Sequence, residues 1–380
     1  MEGNGLYKGE TMNESKGLDK RVLVGMSGGV DSSAVCMLLQ EQGYDVVGVT
    51  LRMWDLPKHF PHSGQMEPVH VLEARTLAEK LGIEHHSMDV RSDFRQTVIQ
   101  DFIEEYMQGR TPNPCVMCNL YFKWRYLLEA ADRYGCKWVA TGHYARIGKE
   151  NDMFYLLKGI DPLKDQSYFL WRLGQKELSR TLFPLGEMKK EDIKKYVLSK
   201  GFKEKVEKKE SMEVCFIEDD YREFLKQEVP ELPEKVNGGF FVDKEGRKIG
   251  RHKGFPFYTV GQRKGLEIAL GHPAYVIKIN ARKNTIRLGD KSELLAKEML
   301  VRDVLLPIPL SPEEEISVRI RYRSAALPAT LRSVGEGRAI VRFCDEASAV
   351  TPGQSAVFYR GDRVLGGSII DDQRYLKKYI

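Results

Sequence analysis

The chain has 380 residues, 42% of them hydrophobic and 30% charged, with 59 Lys and Arg against 54 Asp and Glu for a formal net charge of +5. That balance excludes a disordered or fibrous chain and fits a globular protein of two or three domains, its mild basicity suiting a polyanionic partner. Six cysteines exclude a disulfide scaffold and point to a reducing compartment, the cytoplasm, and no apolar run is long enough to span a bilayer.

Residues 1–20 are polar with no apolar stretch and read as a disordered leader rather than a signal peptide, with Met12 as an alternative start. Arg21–Gly25 reads as a strand and Ser33–Glu41 as a helix ended by Gly43. Between them lies Gly25-Met26-Ser27-Gly28-Gly29-Val30-Asp31-Ser32. Gly28 and Gly29 allow the backbone to approach an anion with its N–H groups, and the helix start adds donors and partial positive charge. Ser27 and Ser32 add hydroxyls, and Asp31 either meets Mg²⁺ or orders the loop. This is a phosphate cradle but not a Walker A loop, because no Gly-Lys-Ser/Thr follows.

Strands at Asp45–Met53, Glu84–Val90 and Lys137–Thr141 alternate with helices at Val69–Leu81, Phe94–Met107 and Leu120–Tyr134. This order predicts an α/β domain with a doubly wound parallel sheet, in which ligands bind beyond the carboxyl ends of the strands. The phosphate loop and Thr141-Gly142-His143 both sit at such ends and are expected to face one pocket. Ser167–Leu173 and Lys190–Lys200 add helix. Turns at Asn237-Gly238-Gly239, Asp243–Gly246 and Ala281–Asn284 mark a small β-rich module, and the strands Ile316–Tyr322, Ala329–Val334, Arg338–Phe343, Ser355–Tyr359 and Val364–Ile370 a C-terminal β-barrel. The expected division is 21–220, 221–297 and 298–380.

Gly109–Asn119 holds two prolines, Pro112 and Pro114, which stiffen it and block a continuous helix, and a Cys-x-x-Cys, Cys115 and Cys118, placed just before the helix expected near Leu120, where a helix N-terminus favours thiolate. Cys215 follows Lys208 and Lys209, whose charge favours thiolate as well. Cys36, Cys136 and Cys344 sit in apolar stretches and read as buried fillers. Three readings stand open for the others: sulfur transfer through two cysteines, an iron–sulfur site on Cys115, Cys118 and Cys215, and a zinc site completed by His143 and Cys215.

The phosphate loop, Thr111-Pro112-Asn113-Pro114 with Cys118-Asn119, Thr141-Gly142-His143-Tyr144-Ala145-Arg146, Lys164-Asp165-Gln166-Ser167-Tyr168-Phe169-Leu170 and Tyr258–Leu266 follow one another in an order that resembles the tRNA-specific 2-thiouridylases, the MnmA family, across about residues 21–370. The resemblance implies a PP-loop ATP pyrophosphatase fold and sulfur insertion at C2 of a wobble uridine. ATP, with Mg²⁺, adenylates O2, a persulfide delivers sulfur, and a second cysteine releases it, leaving a disulfide. It implies Cys118 as nucleophile and Cys215 as persulfide carrier. Gly25, Met26, Ser27, Gly28, Gly29, Val30, Asp31, Ser32, Leu51 and Gly142 would bind ATP, and Asn113, Pro114 and Cys115 would meet the target base. His143, Lys164, Asp165, Gln166, Arg321, Tyr322 and Gln354 would touch tRNA. The implied partners are a tRNA with a wobble uridine and a persulfide-donating sulfur carrier or cysteine desulfurase. Arg319, Arg321, Tyr322 and Arg323 would form an RNA surface on the barrel.

Three departures from the family pattern stand out. Many members have Asp where this chain has Cys115, and a thiol is a poor substitute for a carboxylate near the base. The usual Ser-Thr-Gly-Ile-Cys is here Ser211-Met212-Glu213-Val214-Cys215, which loses a flexible Gly and adds a charge opposing thiolate. Trp54–Pro68, with His59 and His62, replaces an acidic, cysteine-bearing loop, and its histidines read as loop residues. Two other functions remain in view: a different PP-loop ligase or amidotransferase, which needs no cysteine pair, and a paralogue that binds tRNA without thiolating it.

Overall fold

The computed structural model describes residues 18–60, 67–207, 214–311 and 313–379. Residues 1–17, His62, the lysine pair Lys208 and Lys209, and Ser211-Met212-Glu213 therefore lie outside the described residues, and with them most of the expected leader.

The first sheet is parallel, in the order β3-β2-β1-β4-β7, from β1 (Arg21–Gly25), β2 (Asp45–Arg52), β3 (Glu84–Asp89), β4 (Trp138–Ala140) and β7 (Thr181–Leu182). Val22, Leu23 and Val24 on β1 are fully buried, as a central parallel strand covered on both faces requires. The four strands read from sequence are all present. Two-residue β7 is too short to leave a pattern.

Central strands β8 (Phe240–Val242), β9 (Lys248–Arg251), β10 (Tyr275–Asn280) and β11 (Thr285–Gly289) form a four-stranded sheet ordered β10-β11-β8-β9. The C-terminal barrel comprises β12 (Leu295–Leu305), β13 (Ile316–Arg319), β14 (Leu327–Gly335), β15 (Arg338–Ser348), β16 (Ser355–Arg360) and β17 (Arg363–Ile370). They run β12-β15-β14-β13-β16-β17, and a β12–β17 pairing closes the ring. Closure removes the free edges, and the buried run Ala356, Val357, Phe358 and Tyr359 packs β16 on both sides.

Sequence reading also missed β12, one of the six barrel strands, and a hairpin that joins the barrel to the first segment. The hairpin β5 (Ala145–Glu150) and β6 (Met153–Lys158) leaves the parallel sheet and pairs with β17, so a piece of the N-terminal segment extends the barrel sheet. Trp171 reinforces this joint: its Nε1 donates to Ser355 Oγ, and Tyr168 Oη donates to the Ser355 carbonyl.

Several helices differ from their expected bounds: the one expected at Phe94–Met107 begins at Arg91, and Ser167–Leu173 holds only a 3-10 turn at Ser167–Phe169, too short for an α-helix. Two more differ at the site. The helix expected from Ser33 begins at Val30, so Val30, Asp31 and Ser32 form its first turn. The helix expected from Leu120 begins at Pro114 and runs to Arg133, with a π-helical stretch at Asn119–Trp124 in its middle. Proline is tolerated at a first helical position because that N–H has no partner there, so Pro114 starts the helix rather than blocking it.

Candidate active site

β1 ends at Gly25, and the chain turns through Gly28, whose φ of +73° suits glycine, into the helix capped by Gly29. No side chain caps this helix, which leaves its first N–H groups pointing outward as an anion site. Ser32 Oγ donates to the Gly29 carbonyl at 3.1 Å and accepts from Ser27 N–H at 3.3 Å, so its hydroxyl holds the loop's shape. Asp31 orders the cradle. Its carboxylate accepts from Lys190 Nζ at 2.8 Å on both oxygens and from Tyr144 Oη at 2.7 Å. Lys190 is buried, and so is Lys205, whose Nζ donates to the Gly28 carbonyl at 3.0 Å. Two ammonium groups thus flank the phosphate loop. Nothing in the sequence pattern flags them, because each reaches the loop from a distant helix.

The carboxyl ends of β1 and β4 come together as expected. A Cβ on Gly142 would lie 2.9 Å from Asp31 Cβ, and one on Gly25 would lie 3.3 Å from Leu127 Cδ2. Leu51, on neighbouring β2, is partly buried and packs into the same core.

Leu127 belongs to the helix that carries the cysteines, so this helix links the two halves of the site. Its N-terminal end is Asn113-Pro114-Cys115, with Cys118 in its second turn, 5% exposed. Phe122 stacks edge-on to Phe94 at 5.1 Å, and Phe94 meets Phe216 at 5.8 Å. Phe216 is the residue after Cys215, so this aromatic wedge seats the Cys215 segment against the cysteine helix. Cys118, Cys115 and Cys215 lie within electrostatic reach of one another. All six cysteines are free thiols; Cys36 and Cys136 are buried as expected, whereas Cys344 is exposed and is not the core filler its sequence neighbours suggested.

The expected thiolate bias at Cys118 is reversed. Burial inside the helix pushes its thiol up to about 12, with Lys123 pulling the other way and Cys215 and Cys115 adding to the rise. Cys115 and Cys215 keep a solvent-facing surface, yet the protein packed around their sulfurs still raises both, Cys215 to about 11, again opposed by Lys123. His143 donates or accepts at Thr141 Oγ1, 2.8 Å away. Burial, and after it the Lys123 charge, lower His143 to about 3, so its imidazole is neutral at neutral pH. Among the described residues no set of three or more His, Cys, Asp or Glu side chains is placed to hold a metal ion. The three thiols therefore do not fit a cluster or zinc site in this arrangement.

The three segments of this architecture match three family descriptions in succession: tRNA methyl transferase HUP domain over residues 20–219, tRNA methyl transferase PRC-barrel domain over 222–290, and aminomethyltransferase beta-barrel domain over 296–370. The chain is 57% identical over 362 residues to tRNA-specific 2-thiouridylase MnmA 3 of Phocaeicola vulgatus, covering 95% of this chain and 96% of that protein. It is 53% identical over 371 residues to MnmA 3 of Bacteroides fragilis, covering 96% of each. It is 44% identical over 357 residues to MnmA of Cytophaga hutchinsonii, covering 92% of this chain and 97% of that one. The chain belongs to the MnmA family of tRNA-specific 2-thiouridylases.

Several residues to which the MnmA resemblance gives tRNA contacts are held by the protein itself. Asp165 is buried, and its carboxylate accepts from Gly159 and Ser167 N–H groups and from Arg319. Gln166 pairs with the Tyr144 backbone through both its N–H and its Oε1. One Arg321 nitrogen donates to the Val260 and Ala349 carbonyls and to Thr351 Oγ1, tying the Tyr258–Leu266 motif to the barrel. Tyr322 packs its ring 4.5 Å from Phe169. Lys164 is partly buried, its N–H on the Asp161 carbonyl. His59 ends a single 3-10 turn, Pro57–His59, rather than lying in irregular loop, and its Nδ1 accepts from Leu56 N–H.

Gln354 has a role the sequence did not suggest. Its Nε2 donates to the carbonyls of Thr111 and Pro112 at 3.0 and 2.9 Å, and Thr111 N–H donates to the Pro352 carbonyl at 2.8 Å. The barrel thereby clamps the segment that leads into Asn113 and Cys115. Gln354→Leu removes both donors, and the expected result is a thiolation rate lowered about tenfold with tRNA affinity within about twofold of wild type. Filter binding and single-turnover kinetics separate the two, and a loss confined to affinity would assign Gln354 to RNA instead.

Proposed function

We propose that the protein is a tRNA-uridine 2-sulfurtransferase that thiolates C2 of a wobble uridine by adenylation followed by persulfide transfer. The observation that carries this reading is the joining of two half-sites by one helix: Leu127 against the phosphate-loop strand at one end, Cys118 within the electrostatic field of Cys215 at the other.

ATP is a substrate here. Its phosphates lie over the free N–H groups of the loop helix, with Lys190 and Lys205 balancing their charge. Magnesium enters with the nucleotide; the loop's one carboxylate, Asp31, is committed to Lys190 and Tyr144. The uracil O2 attacks the α-phosphorus, the α–β bridging P–O bond breaks, and pyrophosphate leaves. The uracil O2 is then a good leaving group carried on AMP. The terminal sulfur of a Cys215 persulfide attacks C2, the C2–O bond breaks, and AMP departs. The Cys118 thiolate attacks Cys215 Sγ, the Cys215 S–S bond breaks, and sulfur stays on C2. The product enzyme holds a Cys118–Cys215 disulfide, which an external thiol reduces. A sulfur-carrier protein or cysteine desulfurase reloads Cys215. Asn113, Pro114 and Cys115 present the base, and the residues held at the domain joints, with Lys164 and His143, frame the tRNA path.

Unmodified tRNA incubated with the protein, Mg-ATP and a persulfide source is expected to yield 2-thiouridine with AMP and pyrophosphate in tRNA-dependent amounts. Release of ADP and phosphate, or tRNA binding with no thionucleoside, would overturn the reading, the latter in favour of a non-catalytic paralogue.

A further inference from the structure

Besides Lys190 and Lys205 at the phosphate loop, the site contains a cation beside the cysteines that neither the resemblance nor the sequence pattern assigns. Lys123 lies on the cysteine helix between two buried aromatics, Phe122 and Trp124. In an α-helix, at about 100° per residue, positions 118 and 123 would stand about 140° apart on opposite flanks. The stretch Asn119–Trp124 is π-helical instead, and i to i+5 hydrogen bonding underwinds the turn so that residue i+5 returns to the face of residue i. Lys123 therefore shares the face of Cys118. Its ammonium reaches the field of four groups on three elements: Cys118 and Cys115 on its own helix, Cys215 on the segment after residue 213, and His143 after β4.

The groups whose charge bears on Lys123 are the three sulfurs, with no carboxylate among them. Burial works to discharge this ammonium, and the anionic forms of the three sulfurs oppose it, the balance lying on the raised side of an ordinary lysine. His143, the other titratable group nearby, is neutral. A half-buried ammonium whose charge partners are all sulfurs is costly unless a sulfur anion forms there.

We propose that Lys123 is a positioning residue for sulfur transfer, its ammonium serving as the shared counter-cation of the anionic Cys215 persulfide and of the Cys118 thiolate that displaces it. This rests on the two-cysteine reading above. During transfer negative charge moves from the Cys215 persulfide to the substrate sulfur while the Cys118 anion is consumed. One ammonium within reach of both sulfurs stabilises the charge at either position without moving. The π-helical turn, rather than a straight α-helix, is what makes this sharing geometrically available.

The test is independent of thiolation. The iodoacetamide alkylation rate of Cys118, read by peptide mass spectrometry in the full-length protein, is followed against pH for wild type, Lys123→Met, Lys123→Gln and Lys123→Arg. Both neutral variants are expected to move the Cys118 profile to higher pH by about one unit, with alkylation near neutral pH slowed about tenfold. The arginine variant keeps the charge and is expected to stay close to wild type. Two neutral replacements of different polarity guard against a folding defect in either, checked by thermal unfolding. A profile in the folded neutral variants that overlies wild type would overturn the proposal, as would an equal shift in Lys123→Arg, which would mean packing and not charge. Because no tRNA or ATP is present, failure here leaves the thiolation reading standing, and failure of thiolation leaves this profile readable.

Discussion

Gly142→Val is expected to reduce tRNA-dependent pyrophosphate release at least about 100-fold while tRNA still binds. The glycine is required by close approach: a Cβ there would stand 2.9 Å from Asp31 Cβ, 3.2 Å from Asp31 C and 3.3 Å from Ser32 N. Those atoms belong to the first turn of the phosphate-loop helix and cannot yield cheaply, because Asp31 is pinned by Lys190 and Tyr144. Valine adds two further methyls, so the loop must move by a sizeable fraction of an ångström. Displacements of about 1 Å cost about two orders of magnitude in well-positioned reactions. The barrel residues proposed to frame the tRNA path are untouched. A pyrophosphate burst, measured on variant and wild type side by side, decides it. Undiminished release from a folded Gly142→Val protein would mean that ATP is not bound against this loop.

Asp165→Ala is expected to lower the stability of the catalytic and barrel regions by roughly 3–5 kcal/mol, the scale of breaking a buried ion pair from one side. Asp165 is 4% exposed and Arg319 comes from β13 of the barrel, 3.3 Å away. Removing the carboxylate strands the guanidinium, whose Nε already has no partner, over the Tyr359 ring. It also frees the N–H groups of Gly159 and Ser167. Urea unfolding followed by tryptophan fluorescence should show an early loss of the Trp171 joint. A variant as stable as wild type but weak in tRNA binding would return Asp165 to the RNA surface.

These expectations show what the sequence carried. The phosphate loop was legible because its chemistry is local: two glycines, two serines and an aspartate between an apolar strand and an apolar helix suffice to state the cradle. The parallel sheet was legible from alternating periodicity, and the barrel from short strands between turns. What failed was whatever depends on a boundary or on distant packing. Pro112 and Pro114 read as a block to helix, whereas Pro114 occupies the one helical position that tolerates it, and this moved Cys118 from a thiolate-favouring N-terminus into a buried turn. The β5–β6 hairpin was missed because its partner strand, β17, lies about two hundred residues further on. Lys123, Lys190 and Lys205 carry no local signal, since a lysine in a polar helix looks solvated until its neighbours are known. The same limit applies to Asp165, Arg321 and Gln354, whose polar groups proved to be joints between domains.

The central claim is the relay of sulfur between Cys215 and Cys118. It is tested most directly by a single turnover without reductant, with nucleoside mass spectrometry of the tRNA and disulfide mapping of the protein on the same sample, for wild type, Cys118→Ser and Cys215→Ser. The account predicts 2-thiouridine and a Cys118–Cys215 disulfide in matching amounts from wild type, with neither from either variant. Thiouridine formed undiminished by Cys215→Ser, or formed by wild type with both cysteines still free, would contradict it.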